Sequence, residues 1–92
     1  MPMMTQTSGS LTVEVFSEAD VEVSEPKYTV AGRAPSGTVL SINDEIILVD
    51  QSEAFSVDIP LEDGPNLIEI VASDEDGNEV DFMITASYNS EE

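Results

Sequence analysis

Residues 64–88 constrain the fold more than any other part of the chain, because apolar and polar residues alternate on both sides of a turn. Ile68, Ile70 and Ala72 recur every second residue, a period that places them on one face of a β-strand. Gly77 lies in the acidic turn that follows and accepts positive φ. The same period then resumes at Val80, Phe82, Ile84, Ala86 and Tyr88. We predict a long antiparallel hairpin here.

Five earlier segments also alternate with a period of two, and turn signals separate the strands about every 8 to 12 residues. The first segment breaks near residues 17–20 and resumes at Val21, which indicates a kinked strand that switches sheets. Helical spacing is absent from the sequence. Together with the hairpin this predicts an all-β, two-sheet antiparallel sandwich of about seven strands. Its predicted core contains Val30, Leu40, Ile42, Phe55, Val57, Ile59, Ile68, Ile70, Phe82 and Ile84.

Several small or polar residues have predicted roles in the connections. Gly32, inside a strand, indicates a close backbone approach or a bulge. Asn43 and Asp44 are expected to form a two-residue hairpin turn, since both tolerate left-handed conformations. At the corner near Asn66, a polar side chain is expected to hydrogen-bond the backbone.

Residues 46–49 are four consecutive apolar residues, although a strand with one buried face needs only two of them inside. Either Ile46 and Leu48 or Ile47 and Val49 must therefore face away from the main core. In one interpretation a loop or the kinked first strand covers the outward pair. In the other, the pair forms an exposed edge that docks a neighbouring module.

The chain divides into three predicted parts. Residues 1–10 are polar and aperiodic, as expected of a disordered linker or an expression remnant, and without the basic start and apolar middle of a signal peptide. Residues 11–88 form the sandwich, and residues 89–92 form a disordered tail. A single domain of this size without cysteine must be stabilised by apolar packing.

The charge balance excludes two classes of partner. Twenty acidic residues oppose only Lys27 and Arg33, which gives a formal net charge of −18. Nucleic acid and anionic membrane surfaces are therefore repelled, and no apolar run approaches the ~20 residues of a membrane span. Such a surface is typical of a soluble, exposed module; binding of divalent cations and adaptation to high salt are the alternatives.

The residue types argue against catalysis. The chain has no histidine and no cysteine, so its serines lack the usual neutral-pH base and no thiol nucleophile is present. A small sandwich also offers little cleft in which paired carboxylates can act on a sugar. The prediction is that this is not an enzyme and has no catalytic residues. With no tryptophan, and with Phe16 as the one aromatic expected to be exposed, a sugar-binding platform is disfavoured.

Asp74, Asp76 and Asn78 are the candidate metal ligands, because their alternate spacing resembles the start of a calcium loop. The EF-hand pattern fails, since its sixth position is Glu79 and its twelfth is Thr85. A hairpin turn alone explains these residues. We therefore expect no metal and no cofactor, with calcium as the alternative.

A set of short motifs resembles the recurrent pattern of bacterial immunoglobulin-like domains, which includes the second domain of glucodextranase. The motifs are Tyr28-Thr-Val-Ala-Gly32, Ile42-Asn43, Ala54-Phe55, Leu61-Glu-Asp-Gly-Pro-Asn66, Ile68-Glu-Ile-Val-Ala72-Ser-Asp74 and Gly77-Asn78. Two positions depart from the pattern: Asp44 stands where the family usually has glycine, and Ser52-Glu53 stands where a glycine commonly precedes Ala54-Phe55. The resemblance implies an immunoglobulin-like sandwich.

The resemblance also implies a function. Such modules are found in tandem in surface proteins and beside the catalytic domains of secreted carbohydrate-active enzymes. We therefore expect a non-catalytic spacer or interaction module of a larger secreted or cell-surface bacterial protein. The alternatives are an accessory domain of a secreted glycoside hydrolase and a calcium-rigidified adhesin repeat. Expected partners are neighbouring domains of the parent protein and another protein or polysaccharide, and the isolated chain is expected to be a monomer.

Overall fold

The computed structural model describes residues 3–43 and 45–89, and this part of the chain contains nine β-strands and no helix. The strands are β1 (Met4–Ser8), β2 (Leu11–Val15), β3 (Asp20–Val23), β4 (Lys27–Arg33), β5 (Val39–Ile42), β6 (Glu45–Leu48), β7 (Ala54–Pro60), β8 (Gly64–Ser73) and β9 (Glu79–Tyr88). They form a four-stranded sheet in the order β1-β2-β4-β7 and a five-stranded sheet in the order β3-β9-β8-β5-β6. The predicted all-β sandwich of two sheets is confirmed.

The β8–β9 hairpin is the longest pairing of the fold and was predicted correctly. Ile68 lies opposite Ile84, and Ile70 opposite Phe82, with all four side chains buried between the sheets. Gly77 has a φ of 87° in the connecting turn, as the sequence predicts. The period of two thus places one face of each strand in the core.

All ten predicted core residues belong to or pack against one apolar cluster between the two sheets. Ile70 is completely buried, and Val57 is half-buried at the margin of the cluster. β2 also contributes Leu11, Val13 and Val15, which are buried while Thr12 is exposed. Apolar burial from both sheets therefore supplies the main stabilisation of the domain.

The predicted kink after β2 carries the chain from one sheet to the other. β2 pairs with β4 in the four-stranded sheet, whereas β3 runs parallel to β9 in the five-stranded sheet. Ser17 is buried in the crossover; its Oγ donates to the carbonyl of Glu18 and lies 2.7 Å from the hydroxyl of Tyr28. Sequence reasoning found the kink but missed this pair of hydroxyls.

Gly32 allows a close approach between strands, as one of its two predicted roles requires. It pairs with Val15 on one side and with Phe55 on the other. A Cβ at this position would lie 2.6 Å from Cζ of Phe55 and would overlap the carbonyl oxygen of Glu14. Glycine is the one residue type that fits here without moving backbone.

Residues 4–8 differ from the prediction of a disordered linker over residues 1–10, because β1 (Met4–Ser8) pairs antiparallel with β2 over five residues; residues 1–2 lie outside the described part of the chain. The sequence indicated no strand here, since residues 5–8 are polar and one face of this edge strand is turned to solvent. The turn between the two strands uses Gly9, which has a φ of 59°. With β1 and the separate β2 and β3, the described strands number nine rather than about seven.

The predicted turns have the expected geometry where the structure describes them. Thr38 N–H donates to the Pro35 carbonyl, and Gly37 has a φ of 90°. Ile42 pairs with Glu45 across a two-residue connection in which Asn43 has a φ of 52°. Asp44 lies outside the described residues, as do residues 90–92 of the predicted tail.

Candidate functional site

The outer face of the five-stranded sheet exposes large apolar side chains. Five of them are exposed to solvent: Val39, Ile46, Leu48, Leu67 and Met83. Ile46 and Leu48, on β6, are the most exposed, at 76% and 69%. Leu48 pairs with Val39 and Ile46 with Ser41, so these side chains are neighbours on the same face. We call Val39, Ile46 and Leu48 the edge patch.

The edge patch decides between the two interpretations of residues 46–49. Ile47 is half-buried and packed on the core, and Val49 is buried, so the outward pair is Ile46 and Leu48. Coverage by a loop or by the kinked first strand is wrong, because β3 lies at the opposite edge of the sheet and both side chains remain exposed. From the sequence it could be predicted only that alternate residues face opposite sides; which pair faces solvent depends on the β5–β6 register.

The backbone of the same two residues lies on a free edge. β6 is the last strand of its sheet and pairs with β5. Val49 is bonded towards β5, since its N–H donates to the Thr38 carbonyl and its carbonyl accepts from Gly37 N–H. Bonding direction alternates along an antiparallel strand, so the N–H and C=O groups of Leu48 and Ile46 point away from β5. The edge patch therefore combines apolar side chains with backbone groups open to another strand.

Exposed carboxylates lie near the edge patch. Asp50 follows β6, while Glu69 on β8 and Asp81 on β9 lie further along the outer face. Glu45 begins β6 and alternates to the opposite side of the strand. The Ser52 hydroxyl donates to Asp50 Oδ1 over 2.6 Å, and with the Ser52 N–H it lowers the pKa of that carboxyl. Asp50 is consequently ionised at neutral pH, and the rim of the patch is negative.

The predicted metal candidates Asp74, Asp76 and Asn78 form the β8–β9 turn. Oδ1 of Asp74 accepts the N–H groups of Asp76 and Asn78, each at 3.0 Å, and Oδ2 accepts the side-chain amide of Asn78. The Asn78 side chain contributes most to lowering the pKa of Asp74, with help from both backbone N–H groups. These bonds close the turn within the protein itself, in the manner of an Asx turn.

The β8–β9 turn packs against the turn between β1 and β2. A Cβ on Gly9 would meet the side chain of Asn78, so the two turns pack at the same end of the sandwich. Across residues 3–43 and 45–89, no three acidic side chains are grouped closely enough to hold a metal ion. The assignment of these residues to a metal or to a turn alone stays a prediction.

Asn66 performs the corner role that the sequence predicts. Its side-chain oxygen accepts the Glu62 N–H at 3.0 Å, and its amide nitrogen contacts the carbonyls of Glu62, Gly64 and Ala86 at 2.9 to 3.1 Å. The side chain thereby ties the β7–β8 connection to β9. This asparagine stabilises the fold and is unavailable as a ligand for another molecule.

The aromatic side chains lie largely inside the described fold. Phe55 and Phe82 are buried, and Phe16, Tyr28 and Tyr88 are half-buried. The predicted exposure of Phe16 is thus only partial. Lys27 and Arg33 lie on the four-stranded sheet, where Lys27 Nζ is 3.9 Å from Asp58 Oδ2. The edge patch is the strongest candidate for an interaction site.

In the described part of the chain there is no helix that could cross a membrane.

Comparison with known proteins places this chain beside a short segment of bacterial proteinases. It is 34% identical over 86 residues to the PII-type proteinase of Lacticaseibacillus paracasei, and 33% identical over 86 residues to the PII-type proteinase of Lactococcus lactis subsp. cremoris. Each alignment covers 90% of this chain but 4% of the proteinase. No family model matches the chain. The chain is therefore similar to a small part of a much longer protein.

Proposed function

We propose that this chain is a non-catalytic, immunoglobulin-like module of a larger cell-surface or secreted bacterial protein. The observation that carries the proposal is the alignment of 90% of the chain with 4% of two bacterial proteinases. A segment that spans one whole sandwich within a much longer chain is expected of an accessory domain. Neighbouring domains of the parent protein are then its first partners.

The chemistry of the residues supports a non-catalytic role. The sequence has neither histidine nor cysteine, and the buried Ser17 hydroxyl is bonded to a carbonyl and to the Tyr28 hydroxyl, with no base beside it. Hydrogen bonds within turns lower the pKa values of Asp50 and Asp74, so both are ionised at neutral pH and are poor proton donors there. The hydrogen bonds of these side chains stabilise the turns and the crossover between the sheets.

Several features together support the immunoglobulin-like assignment and the surface location. The chain switches sheets between β2 and β3, with β3 parallel to β9, and Asn66 bonds the corner before the last hairpin. The high negative charge keeps an exposed module soluble. The proteinase relatives favour a proteinase parent over the glycoside hydrolase that sequence reasoning offered as an alternative.

We also propose that Asp74, Asp76 and Asn78 form a structural turn with no bound metal, and that the module needs no cofactor. Asp74 already receives three hydrogen bonds from within the turn. These bonds use three of the about four acceptor sites of the carboxylate and so leave little of it for a calcium ion.

The test is the behaviour of the isolated chain. We expect one cooperative unfolding transition with equal calorimetric and van't Hoff enthalpies, a monomer in sedimentation, and no cleavage of a quenched fluorescent peptide library. Peptide cleavage that follows the chain through purification would contradict the non-catalytic role. Failure to fold without flanking sequence would contradict its status as an independent module.

A further inference from the structure

The edges of the two sheets differ in how they are protected from another strand. β7 ends in Pro60 and carries Asp58, and β3 carries Asp20 and Glu22, so charge or proline protects both of these edges. β1 has polar residues from Thr5 to Ser8. β6 carries one charged residue, Glu45 at its start, and no lysine or proline, and it presents the exposed apolar side chains of Ile46 and Leu48. β6 is thus the least protected edge of the described fold.

We propose that β6 docks an extended segment of a separate polypeptide, which joins the five-stranded sheet as a further strand. Its main chain bonds to the free N–H and C=O groups of Ile46 and Leu48, and its apolar side chains cover the edge patch. The inference deepens the proposed function, because it names the chemistry of the partner for an interaction module.

The charge around the edge patch specifies the partner further. Glu45 and Asp50 lie at the two ends of β6, and Glu69 lies on the neighbouring outer face. An incoming strand with lysine or arginine at both ends and apolar residues at alternate positions between them complements this arrangement. A second copy of the chain fits poorly, since both copies carry a net charge of −18.

The course of the chain favours a partner in trans. β1 lies beside β9, and three strand spacings, or about 14 Å, separate β9 from β6. β9 ends at Tyr88, opposite Gly64, whereas β5 and the edge patch lie at the Ser73 end of β8, about 30 Å away along the strand. The end of β9 therefore lies far from the free edge.

The experiment is a titration of the full chain, isotopically labelled for NMR, with two synthetic peptides. One is Lys-Lys-Val-Thr-Val-Thr-Val-Lys-Lys, and the other replaces every lysine with glutamate. With the basic peptide at about 1 mM, we expect saturable shifts and slower hydrogen exchange at the amides of Ile46 and Leu48. The acidic peptide should bind at least about tenfold more weakly, and 1 M sodium chloride should weaken the basic peptide.

Matched variants separate edge pairing from nonspecific attraction. Leu48→Pro removes one outward N–H while leaving the bonds to β5, and should weaken the basic peptide by up to about tenfold. If that variant loses its dispersed spectrum, the double variant Ile46→Thr with Leu48→Thr tests the apolar contact in an intact backbone. Leu67→Thr, an exposed leucine on the same face but on β8, should bind like the parent chain.

Three results would overturn the inference: shifts confined to strands other than β6, equal binding of the two peptides, or undiminished binding by the β6 variants. Concentration-dependent shifts at Ile46 and Leu48 without peptide would also overturn it, because they assign the edge to a second copy. All of these outcomes leave a folded, non-cleaving chain, so they are distinct from failure of the proposed function.

Discussion

The two sheets share one core, but their solvent-facing surfaces differ in polarity. On the four-stranded sheet, Thr29 Oγ1 donates to Asp58 Oδ1 over 2.6 Å and Lys27 lies 3.9 Å from the same carboxylate, so polar outward residues bond to each other. On the five-stranded sheet, Ile46 and Leu48 are exposed apolar side chains on a free edge. Folding requires burial on the inner faces only. The exposed apolar side chains of the second sheet are therefore not needed for folding and are available for the docking proposed above.

The largest expected effect concerns the inner faces, where the two sheets should behave alike. Ile70→Ala in the five-stranded sheet and Ile59→Ala in the four-stranded sheet each remove a buried isoleucine and should cost about 2–5 kcal/mol. Ile70 should lie at the upper end, because it is completely buried on a central strand while β7 is an edge. Denaturant melts measure both losses. A loss of stability below about 1 kcal/mol for either variant would show that the two inner faces do not contribute alike to the core.

The next effect is specific to the four-stranded sheet. Gly32→Ala places a methyl group against the Glu14 carbonyl and the Phe55 ring, so we expect a loss of about 1–3 kcal/mol, or more if the backbone cannot shift. Ser56→Ala, an exposed change on neighbouring β7, is the control and should stay within about 0.5 kcal/mol. If Gly32→Ala lowers the free energy of unfolding in urea melts no more than the control does, β2 and β4 do not approach as closely as described.

A smaller effect, in the stabilising direction, is expected in the connection between β6 and β7. Glu53 has a φ of 60°, a conformation that costs a residue with a side chain about 1–2 kcal/mol. Glu53→Gly should relieve this strain and, after the entropy cost of glycine in the unfolded chain, gain about 0.5–1 kcal/mol. Glu53→Ala removes the charge but keeps a Cβ, and therefore the backbone strain, so it should gain less. Equal thermal shifts for the two variants would assign the gain to charge instead.

Local sequence patterns predicted most of the fold, and they failed where the structure depends on pairing between strands. The alternation of Ile68, Ile70 and Ala72 is a local signal. The left-handed conformation of Glu53 was not predicted; Ser52-Glu53 stands out only as a departure from a family pattern that commonly has a glycine before Ala54-Phe55. β1 was missed because its residues are polar and only pairing with β2 specifies it. The outward direction of Ile46 and Leu48 depends on pairing with β5, which composition does not reveal.

The smallest effects are electrostatic. The 20 carboxylates repel one another more strongly in the compact state than in the expanded chain, and this repulsion should cost the folded state less than about 1 kcal/mol. Asp50 and Asp74 contribute in the opposite direction: hydrogen bonds from Ser52 and from Asn78 lower their folded pKa values, so their contribution is present above the ordinary value of 3.8 and disappears as pH falls through the folded values. Melting temperatures should therefore fall below about pH 4.

Salt provides the matching control for this electrostatic effect. Sodium chloride screens the carboxylates and should raise the melting temperature at pH 7, and millimolar calcium should do no more at equal ionic strength. A saturable rise specific to calcium that disappears in Asp76→Ala would contradict the metal-free turn. Melting temperatures that fall with sodium chloride would show that Lys27, Arg33 or a bound cation already compensates the acidic field.

Hydrogen exchange along β6, measured by NMR at low protein concentration, tests the difference between the two sheet surfaces most directly. The amide of Val49 donates to the Thr38 carbonyl and that of Ile47 points towards β5, so both should be protected. The amides of Ile46 and Leu48, directed at solvent, should exchange with little protection beyond that of the unfolded chain. Protection of all four amides would show that the edge is already occupied, and would contradict a free docking strand.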